Sequence, residues 1–200
     1  MTNKIDMPNN PYEVLNKWLA EAEKKEINDY NAMSLATATT DGIPSVRIVL
    51  LKGLDENGLV FYTNASSRKG QEINANKHAA LCFHWKSLLK QVRVEGIIEE
   101  VSNEEADAYY STRHRSSRVG AWASKQSEEL GSREELKKFV ENYEAEFEGK
   151  EDIPRPPYWK GFRVKPTAIE FWVDGEYRLH ERYVYKPDDK GGWTRHMLYP

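Results

Sequence analysis

The spacing of apolar residues predicts a helix near the start of the chain. Asn10 is a suitable N-cap residue and Pro11 fits the first helical position. The apolar residues that follow recur at helical spacing: Val14, Leu15, Trp18, Leu19 and Ala22. The segment is therefore predicted to be an amphipathic helix that packs on the rest of the protein.

From Met33 to about Val101 the apolar positions alternate with polar ones, which is the period of β-strands. Asp41-Gly42 and Asn57-Gly58 favour the tight turns of antiparallel hairpins, so the first three strands are predicted to form a meander. A short helix is expected within residues 66–76, followed by the strands AALCFHW and QVRVEGIIEEV. Five short strands with turn signals between them indicate a barrel or a sandwich.

The second half of the chain mixes helices with further strands. Ser102 with Glu105, and Ser132 with Glu135, form capping boxes that predict two helix starts. Residues 128–157 are expected to form an acidic helix and a proline-rich linker, after which strands resume with FRVKP, TAIEFW, YRLHERYVY and GWTRHMLY. The prediction is one mainly antiparallel α+β domain over residues 1–200, with a flexible segment at 1–9.

Composition narrows the class of protein. Lys and Arg total 29 against 32 Asp and Glu, a net charge of -3, which argues against a nucleic-acid binder. A single cysteine, Cys82, excludes an intrachain disulfide and a multi-cysteine metal site, as suits a reducing compartment. The longest apolar runs are too short to span a membrane, and the first ten residues lack a signal-peptide pattern, so a cytoplasmic protein is expected.

Several common catalytic motifs are absent. The chain has no GxGxxG after a strand, no GxxxxGK[ST] and no GxSxG. His180-Glu181 begins like the zinc motif HExxH, but Val184 stands at the position of the second histidine. No metal site is predicted.

Two basic clusters suggest phosphate binding. Residues 66–70 (SSRKG) offer hydroxyls, two cations and free backbone N–H groups at a predicted helix start, although a helix cap with exposed bases has the same pattern. Tyr109, Arg113 and Ser117 are spaced i, i+4 and i+8, so they form one stripe if the helix continues. The alternative is a basic helix end stabilised by the macrodipole.

A third cluster lies in RLHER. Arg178, His180 and Arg182 alternate in an apparent strand and would share one face, which favours an anionic ligand opposite them. Arg47 and Lys52 stand at the ends of RIVLLK on nominally opposite faces. The uncharged groups able to contact a heterocycle are Gln91, Gln126, Ser127 and Trp172, although taken singly each is more often an ordinary polar or core residue.

Eight motifs taken in order resemble one family. They are RIVLLK, FYTN, SSRKG, KQVRVEG, GAWASKQS, PRPPYWKGFRV, IEFW and RLHER, and they resemble those of the pyridoxine/pyridoxamine phosphate oxidases from about Asn10 to the C-terminus. The resemblance implies an FMN-binding split β-barrel, antiparallel with peripheral helices, that forms a homodimer with FMN at the subunit interface. It also implies oxidation of pyridoxine or pyridoxamine 5'-phosphate to pyridoxal 5'-phosphate, with O2 reduced to H2O2.

The resemblance assigns roles to individual residues. FMN contacts are expected at Arg47, Ile48, Val49, Leu50, Leu51, Lys52, Tyr62, Thr63, Arg68, Lys69, Gln91, Gln126, Ser127, Trp172 and Arg182. The substrate phosphate is expected at Lys52, Tyr109, Arg113 and Ser117, and the substrate ring at Arg178, Leu179 and His180. Arg178 and His180 are the expected catalytic residues. His114 departs from the family pattern, which often has proline there.

Three other functions are weighed against this one. The first is another FMN split-barrel oxidoreductase, such as a phenazine-pathway oxidase, and the second is a non-catalytic carrier of flavin or pyridoxal phosphate. Peroxide production would separate an oxidase from a carrier. A nucleic-acid module is the weakest alternative, because the basic clusters lack interleaved aromatic residues and a net positive charge.

Overall fold

The fold is described from a computed structural model, in which residues 7–200 are described. The helices are α1 Pro11–Lys25, α2 Arg68–Ala75, α3 Asn103–Ser111, α4 Arg115–Ala123 and α5 Arg133–Glu146. The strands are β1 Ala32–Ala38, β2 Pro44–Leu50, β3 Gly53–Asp55, β4 Gly58–Asn64, β5 His78–Trp85, β6 Lys90–Glu100, β7 Trp159–Val173, β8 Glu181–Pro187 and β9 Trp193–Leu198. Short 3₁₀ turns occupy Lys86–Leu88 and Glu176–Arg178.

The predicted helix starts are confirmed by their caps. The Asn10 side chain accepts a hydrogen bond from the backbone N–H of Tyr12 at 2.9 Å, and Pro11 is the first residue of α1. Ser102 and Ser132 accept from the backbone N–H groups of Glu105 and Glu135 in the same way. The predicted apolar face of α1 is buried, with the Trp18 ring edge-on to Phe171 at 5.1 Å between centroids.

All the strands belong to one antiparallel sheet, whose main path runs β2-β1-β5-β6-β7-β4-β3. Only residues 51–52 separate β2 from β3, yet these strands lie at opposite ends of that path. The sheet must therefore curl until its two ends approach, and the backbone N–H of Lys52 donates to Val60 O at 2.8 Å across the junction. The result is a half-barrel with helices outside it, as the α+β prediction requires.

The predicted meander of the first three strands is wrong. β2 pairs with β1, whereas β4 pairs with β3 and β7, and the second partner of β1 is β5. The chain leaves β2 at Leu50 and turns at Leu51 and Lys52, so the segment that pairs with β4 is the new strand β3. Local turn signals identified the hairpins correctly but did not show that the sheet closes between them.

FRVKP and TAIEFW form one continuous strand, β7, rather than two. Pro166 lacks a backbone N–H, but it lies opposite Gly96, where the register of β6 and β7 shifts at a bulge. A bulge leaves one residue outside the ladder, and proline is tolerated at such positions. β7 therefore extends through 15 residues without a break.

The RLHER segment is not a strand over its first three residues. Tyr177 and Arg178 have left-handed backbones with φ of 56° and 66°, and Leu179 N donates to Glu176 O at 3.0 Å. β8 begins only at Glu181, so the expected single face of Arg178, His180 and Arg182 does not form.

The stripe predicted from Tyr109 to Ser117 does not lie on one helix either. α3 ends at Ser111, and α4 starts at Arg115 with His114 as its N-cap residue. The His114 imidazole accepts from the backbone N–H of Ser116 at 3.3 Å. Two short helices joined by a sharp bend replace the continuous one.

The segments predicted as flexible or linking are described from Met7 onwards in the first case and throughout residues 128–157 in the second. Residues 1–6 of the predicted flexible segment lie outside the described residues, while Met7 is buried and Pro8 O accepts from the Tyr185 hydroxyl at 2.7 Å. In the acidic segment α5 packs on α4, and the Trp122 indole donates to Pro154 O at 2.8 Å. Among residues 7–200, no helix is both long and apolar enough to cross a membrane.

Gly70 in α2 tests how closely this helix must approach the end of β4. A Cβ at Gly70 would lie 2.2 Å from Ala65 O, whereas a Cβ at the helical Gly120 would meet nothing within 4 Å. We expect Gly70→Ala to lower the free energy of unfolding by about 1–3 kcal/mol, because the helix must move away from the loop. Gly120→Ala should leave it unchanged or raise it by up to about 1 kcal/mol. Urea unfolding of both variants measures the difference, and equal effects would contradict the close approach.

Candidate functional site

A pocket of about 480 Å³ opens beside β2 and β4, with α3 and α4 contributing to its wall. It gathers many of the residues predicted for FMN and substrate. Its lining is Ile48, Val49, Leu50, Lys52, Tyr62, Thr63, Lys69, Tyr109, Arg113, His114, Ser117, Gln126 and Trp159. A larger groove, of about 670 Å³, lies between α4 and the end of α5 and contains none of the predicted site residues.

Lys69 places a buried ammonium group in this pocket. Ser67 caps α2, which brings Lys69 into its second position, and Nζ donates to Gln126 Oε1 at 2.6 Å, Ser67 Oγ at 3.1 Å and Thr63 Oγ1 at 3.2 Å. Burial and the nearby Arg47 charge lower the pKa of Lys69 to about 8. Because all three partners are neutral, the ammonium retains an unmatched positive charge, which favours an anion.

Arg47 and Arg68 are committed to a different interaction. The Glu72 carboxylate, 5% exposed, accepts from Thr37 and Ser45 at 2.5 Å, from Arg68 Nε at 2.9 Å and from Arg47 at 3.4 Å. Burial opposes the charged form, but the hydroxyl and arginine hydrogen bonds outweigh it and lower the pKa of Glu72 to about 2. Neither arginine lines the pocket.

The side chains predicted to bind the substrate phosphate do come together in the pocket, although they do not lie on one continuous helix. Tyr109 comes from the end of α3, Arg113 from the bend, and Ser117 from the first turns of α4. Arg113 Nη1 is buried and has no hydrogen-bond partner among residues 7–200. Burial lowers the pKa of Arg113, as expected for a desolvated cation that lacks an opposite charge.

Two lining residues were not predicted. His114 was noted only as a departure from the family pattern, and Trp159 only as part of the motif PRPPYWKGFRV. The rings of Tyr62, Tyr109 and Trp159 are nearly parallel, with interplanar angles of 7–10°. The sequence signal that could have identified Trp159 as a pocket residue is its place in the motif PRPPYWKGFRV.

The remaining predicted residues lie elsewhere. Gln91, Trp172 and Arg182 are cross-strand neighbours on β6, β7 and β8. The His180 ring lies 4.6 Å from the Trp172 ring, and His180 Nδ1 lies 3.1 Å from Asp174 Oδ1 and 3.2 Å from Gly175 N. We name Gln91, Trp172, His180 and Arg182 the β7–β8 cluster.

The β7–β8 cluster is separated from the pocket by the length of one strand. Trp159 and Trp172 lie near opposite ends of β7, roughly 40 Å apart along the strand at about 3.3 Å per residue. Arg178 and Leu179 are exposed beside the β7–β8 cluster, and none of these residues lines the pocket.

Two predicted contacts have other surroundings. Leu51 is buried in the hydrophobic core, and Ser127 has a left-handed backbone with φ of 76° just after Gln126. Neither side chain lines the pocket. Arg182 is held by Glu170 through two hydrogen bonds of 2.8 and 3.1 Å.

The curled antiparallel sheet with outer helices is the split-barrel fold of FMN-binding proteins, as two solved structures show. The crystal structure of PhzG from Burkholderia lata, in complex with tetrahydrophenazine-1-carboxylic acid, matches with a TM-score of 0.90 and 32% identity over 98% of this chain and 95% of that one. An FMN-binding protein from Nostoc punctiforme related to pyridoxamine 5'-phosphate oxidase shares the fold, with a TM-score of 0.75 and 17% identity over 97% of this chain and 100% of that one.

Sequence comparison gives the family. A family model described as "Pyridoxamine 5'-phosphate oxidase" matches residues 19–146, and one described as "Pyridoxine 5'-phosphate oxidase C-terminal dimerisation region" matches residues 159–200. A protein of Brucella canis named "Pyridoxine/pyridoxamine 5'-phosphate oxidase" is 54% identical over the full length of both chains. The chain belongs to the pyridoxamine 5'-phosphate oxidase family.

Glu72 predicts an acid-sensitive contribution to stability. Its pKa is lowered from 4.5 to about 2 in the folded protein, so the stability it provides is present above pH 4.5 and is lost as the pH falls toward 2. We expect Glu72→Gln to lower the free energy of unfolding at pH 7 by about 1.5–3 kcal/mol, the range for hydrogen bonds to charged groups. Urea unfolding of the unaltered protein and of Glu72→Gln at pH 7 and pH 3 checks this. The difference between their free energies of unfolding should be smaller at pH 3, and an equal difference at both pH values would contradict the assignment.

Proposed function

We propose that this protein is an FMN-dependent oxidase that converts pyridoxamine or pyridoxine 5'-phosphate to pyridoxal 5'-phosphate, with O2 as acceptor and H2O2 as product. With the amine substrate, water is also consumed and ammonia is released. The observation that carries the proposal is the presence of two separate cationic regions in one pocket, Lys69 in one and Arg113 with Lys52 in the other. Neither Lys69 nor Arg113 is paired with a carboxylate among residues 7–200. Two unmatched cations on different elements suit two anionic ligand groups. A flavin phosphate and a substrate phosphate meet that requirement.

The Lys69 side of the pocket fits the phosphate of FMN. Its ammonium is buried at the start of α2, where backbone N–H groups also favour an anion. Arg68 and Arg47 pair with Glu72 and do not line the pocket, so Lys69 is the cation proposed to hold this phosphate. When bound, FMN supplies the two-electron acceptor for the C4' carbon of the substrate, while the protein supplies binding and orientation.

The Arg113 side fits the substrate phosphate. Lys52, Tyr109, Arg113 and Ser117 offer two cations and two hydroxyls from separate segments, all lining the pocket. Charge-assisted hydrogen bonds from the guanidinium are directional, which would fix the substrate at one end. In this proposal the arginine, the lysine and the hydroxyls bind and orient the substrate and take no part in proton transfer.

We propose that the site is completed by a second copy of the chain. The β7–β8 cluster and Arg178 cannot reach the pocket of their own chain, because a single extended strand separates them. The match to a dimerisation region covers residues 159–200, which include β7, β8 and β9. In a homodimer, Gln91, Trp172 and Arg182 would contact FMN bound at the pocket of the partner.

Arg178 and His180 are the proposed ring contacts. Tyr177 and Arg178 have left-handed backbones, and the turn they form is exposed, with Tyr177 91% and Leu179 68% accessible. A partner-facing turn of this kind would place Arg178 over the substrate ring and His180 at a ring substituent. His180 is proposed first as a positioning residue and second as an acid–base group.

A phenazine-pathway oxidase is the second candidate, favoured by the similarity to PhzG from Burkholderia lata. The full-length identity of 54% to a named pyridoxine/pyridoxamine 5'-phosphate oxidase supports the first proposal against it. The two ligand classes also differ in charge, since tetrahydrophenazine-1-carboxylic acid carries a carboxylate and the proposed substrates carry a phosphate.

The deciding experiment is to purify the protein, measure bound FMN, and record peroxide and pyridoxal 5'-phosphate formed under air. Addition of pyridoxamine 5'-phosphate should yield both products. Peroxide only with tetrahydrophenazine-1-carboxylic acid would support the second candidate. Bound FMN without peroxide from either compound would indicate a carrier.

Two substitutions separate the proposed phosphate sites. Arg113→Ala should raise KM for pyridoxamine 5'-phosphate at least tenfold with FMN retained, because it removes a directional cation from the substrate end. Lys69→Ala should release FMN on gel filtration, because it removes the buried ammonium from the flavin end. Steady-state kinetics and the absorbance of bound flavin measure both effects, and the reverse pattern would contradict the assignment.

The lowered pKa of Lys69 predicts pH-dependent binding of FMN. The ammonium is charged below about pH 8 and loses its proton above it. FMN affinity should therefore be steady at pH 6.5–7.5 and fall by up to about tenfold per pH unit above pH 8. Quenching of FMN fluorescence by the apoprotein measures the affinity; Lys69→Met should bind more weakly and lack this fall, and a similar fall in Lys69→Met would contradict it.

A further inference from the structure

The surroundings of Arg113 show how an arginine without a carboxylate is held in place. Arg113 lies in the bend between α3 and α4, where its backbone N–H donates to Tyr110 O at 3.1 Å. The guanidinium carbon lies 4.9 Å from the centre of the Trp159 ring and 5.6 Å from that of the Tyr110 ring. These two rings meet edge to face at 5.0 Å. The guanidinium therefore sits in an aromatic corner.

The Trp159 side of this corner is rigidly built. The indole is 6% exposed and stacks on Tyr62 at 5.1 Å, with an angle of 7° between the rings. The Trp159 backbone is fixed twice, since its N–H donates to Pro156 O at 2.9 Å and its carbonyl accepts from Arg155 at 2.6 Å. Trp159 is also paired with Asn64 at the start of the β4–β7 ladder.

The aromatic corner leaves the hydrogen-bonding edge of Arg113 unused. Aromatic faces attract the guanidinium without occupying its N–H donors, and Nη1 remains buried with no partner among the described residues. A free arginine side chain loses rotamer entropy when it is fixed by a ligand. An arginine already fixed by rings has lost part of that entropy before the ligand arrives, so binding is tighter.

We propose that Trp159 is a positioning residue that orients Arg113 for a phosphate group of the substrate. The inference rests on the proposed function for the identity of the substrate. The orientation itself concerns any phosphate monoester or inorganic phosphate that enters the pocket. Trp159 does not contact the reacting atoms in this proposal and acts only through Arg113.

The test uses the FMN-loaded protein with two probes, pyridoxamine 5'-phosphate in steady-state kinetics and inorganic phosphate in calorimetric titration. Trp159→Leu removes the ring, and we expect KM and the phosphate dissociation constant each to rise about tenfold, equivalent to about 1.4 kcal/mol. kcat should change less than twofold and FMN should be retained. Trp159→Phe keeps an aromatic face and should restore most of the affinity.

A double-mutant cycle distinguishes positioning from general packing. If Trp159 acts through Arg113, adding Trp159→Leu to Arg113→Ala should cause no further loss of phosphate affinity, because the group it orients is gone. Independent, additive losses would overturn the proposal, as would unchanged phosphate affinity in Trp159→Leu. If Trp159→Leu does not fold, the same cycle is run with Trp159→Phe, where a two- to threefold loss that disappears beside Arg113→Ala is expected; additive or absent loss there overturns the proposal.

Trp18 offers a matched control. It is 2% exposed, and the Lys90 ammonium lies 4.6 Å from the centre of its ring, so it also combines burial with a cation–π contact. Trp18→Phe should lower stability without changing the phosphate dissociation constant. An equal change in Trp18→Phe and Trp159→Phe would overturn the proposal, because it would show that loss of a buried indole affects the pocket wherever it occurs.

The two readouts keep this inference distinct from the proposed function. The protein could be inactive with pyridoxamine 5'-phosphate and still bind phosphate in a way that depends on Trp159 and Arg113. That result would overturn the proposed substrate and support the positioning role. If activity is normal but phosphate affinity does not change when Trp159 is substituted, only the positioning role is overturned.

Discussion

The long strand β7 (Trp159–Val173) pairs with three others: with β6 along residues 162–173, and on its other side with β4 along residues 159–164 and with β8 along residues 169–173. The continuity of this strand brings the early strands, the late strands and the helical segment that precedes it into one structure. Its first residue, Trp159, closes the pocket, and Trp172 near its end anchors the β7–β8 cluster. The bulge beside Pro166 lets this strand continue past a residue that lacks a backbone N–H donor.

The same continuity separates the two groups of predicted site residues. A strand is extended, so residues near its two ends cannot meet around one small ligand within a chain. Two copies of the chain would resolve this separation, and the match of residues 159–200 to a dimerisation region agrees with that arrangement. On this proposal, the geometry of one strand is the physical reason for sharing a site between subunits.

The cations in and beside the pocket differ in whether a carboxylate is paired with them. Glu72 pairs with both Arg47 and Arg68 beside the pocket, so each of these arginines has an opposite charge close to it. Lys69 and Arg113 have hydroxyl, amide or aromatic neighbours in place of a carboxylate. Burying a cation without an opposite charge is unfavourable, and an incoming anion relieves that cost. The pairing pattern therefore distinguishes structural cations from candidate binding cations more clearly than their number does.

The sequence by itself determined the elements with local signals and the family. Caps at Asn10, Ser102 and Ser132 fixed helix starts, because a capping hydrogen bond joins residues two or three positions apart. Alternating apolar residues identify most strands, and eight motifs in order along the chain identify the family without reference to contacts between residues. Tertiary structure alone decided three matters: the closure of the sheet between β2 and β3, the bend that brings Tyr109, Arg113 and Ser117 together, and the place of Trp159 against Arg113. Each of these three features depends on contacts between residues distant in sequence or on an interruption of the helical period. The local pattern of residues along the chain does not show such contacts or such interruptions.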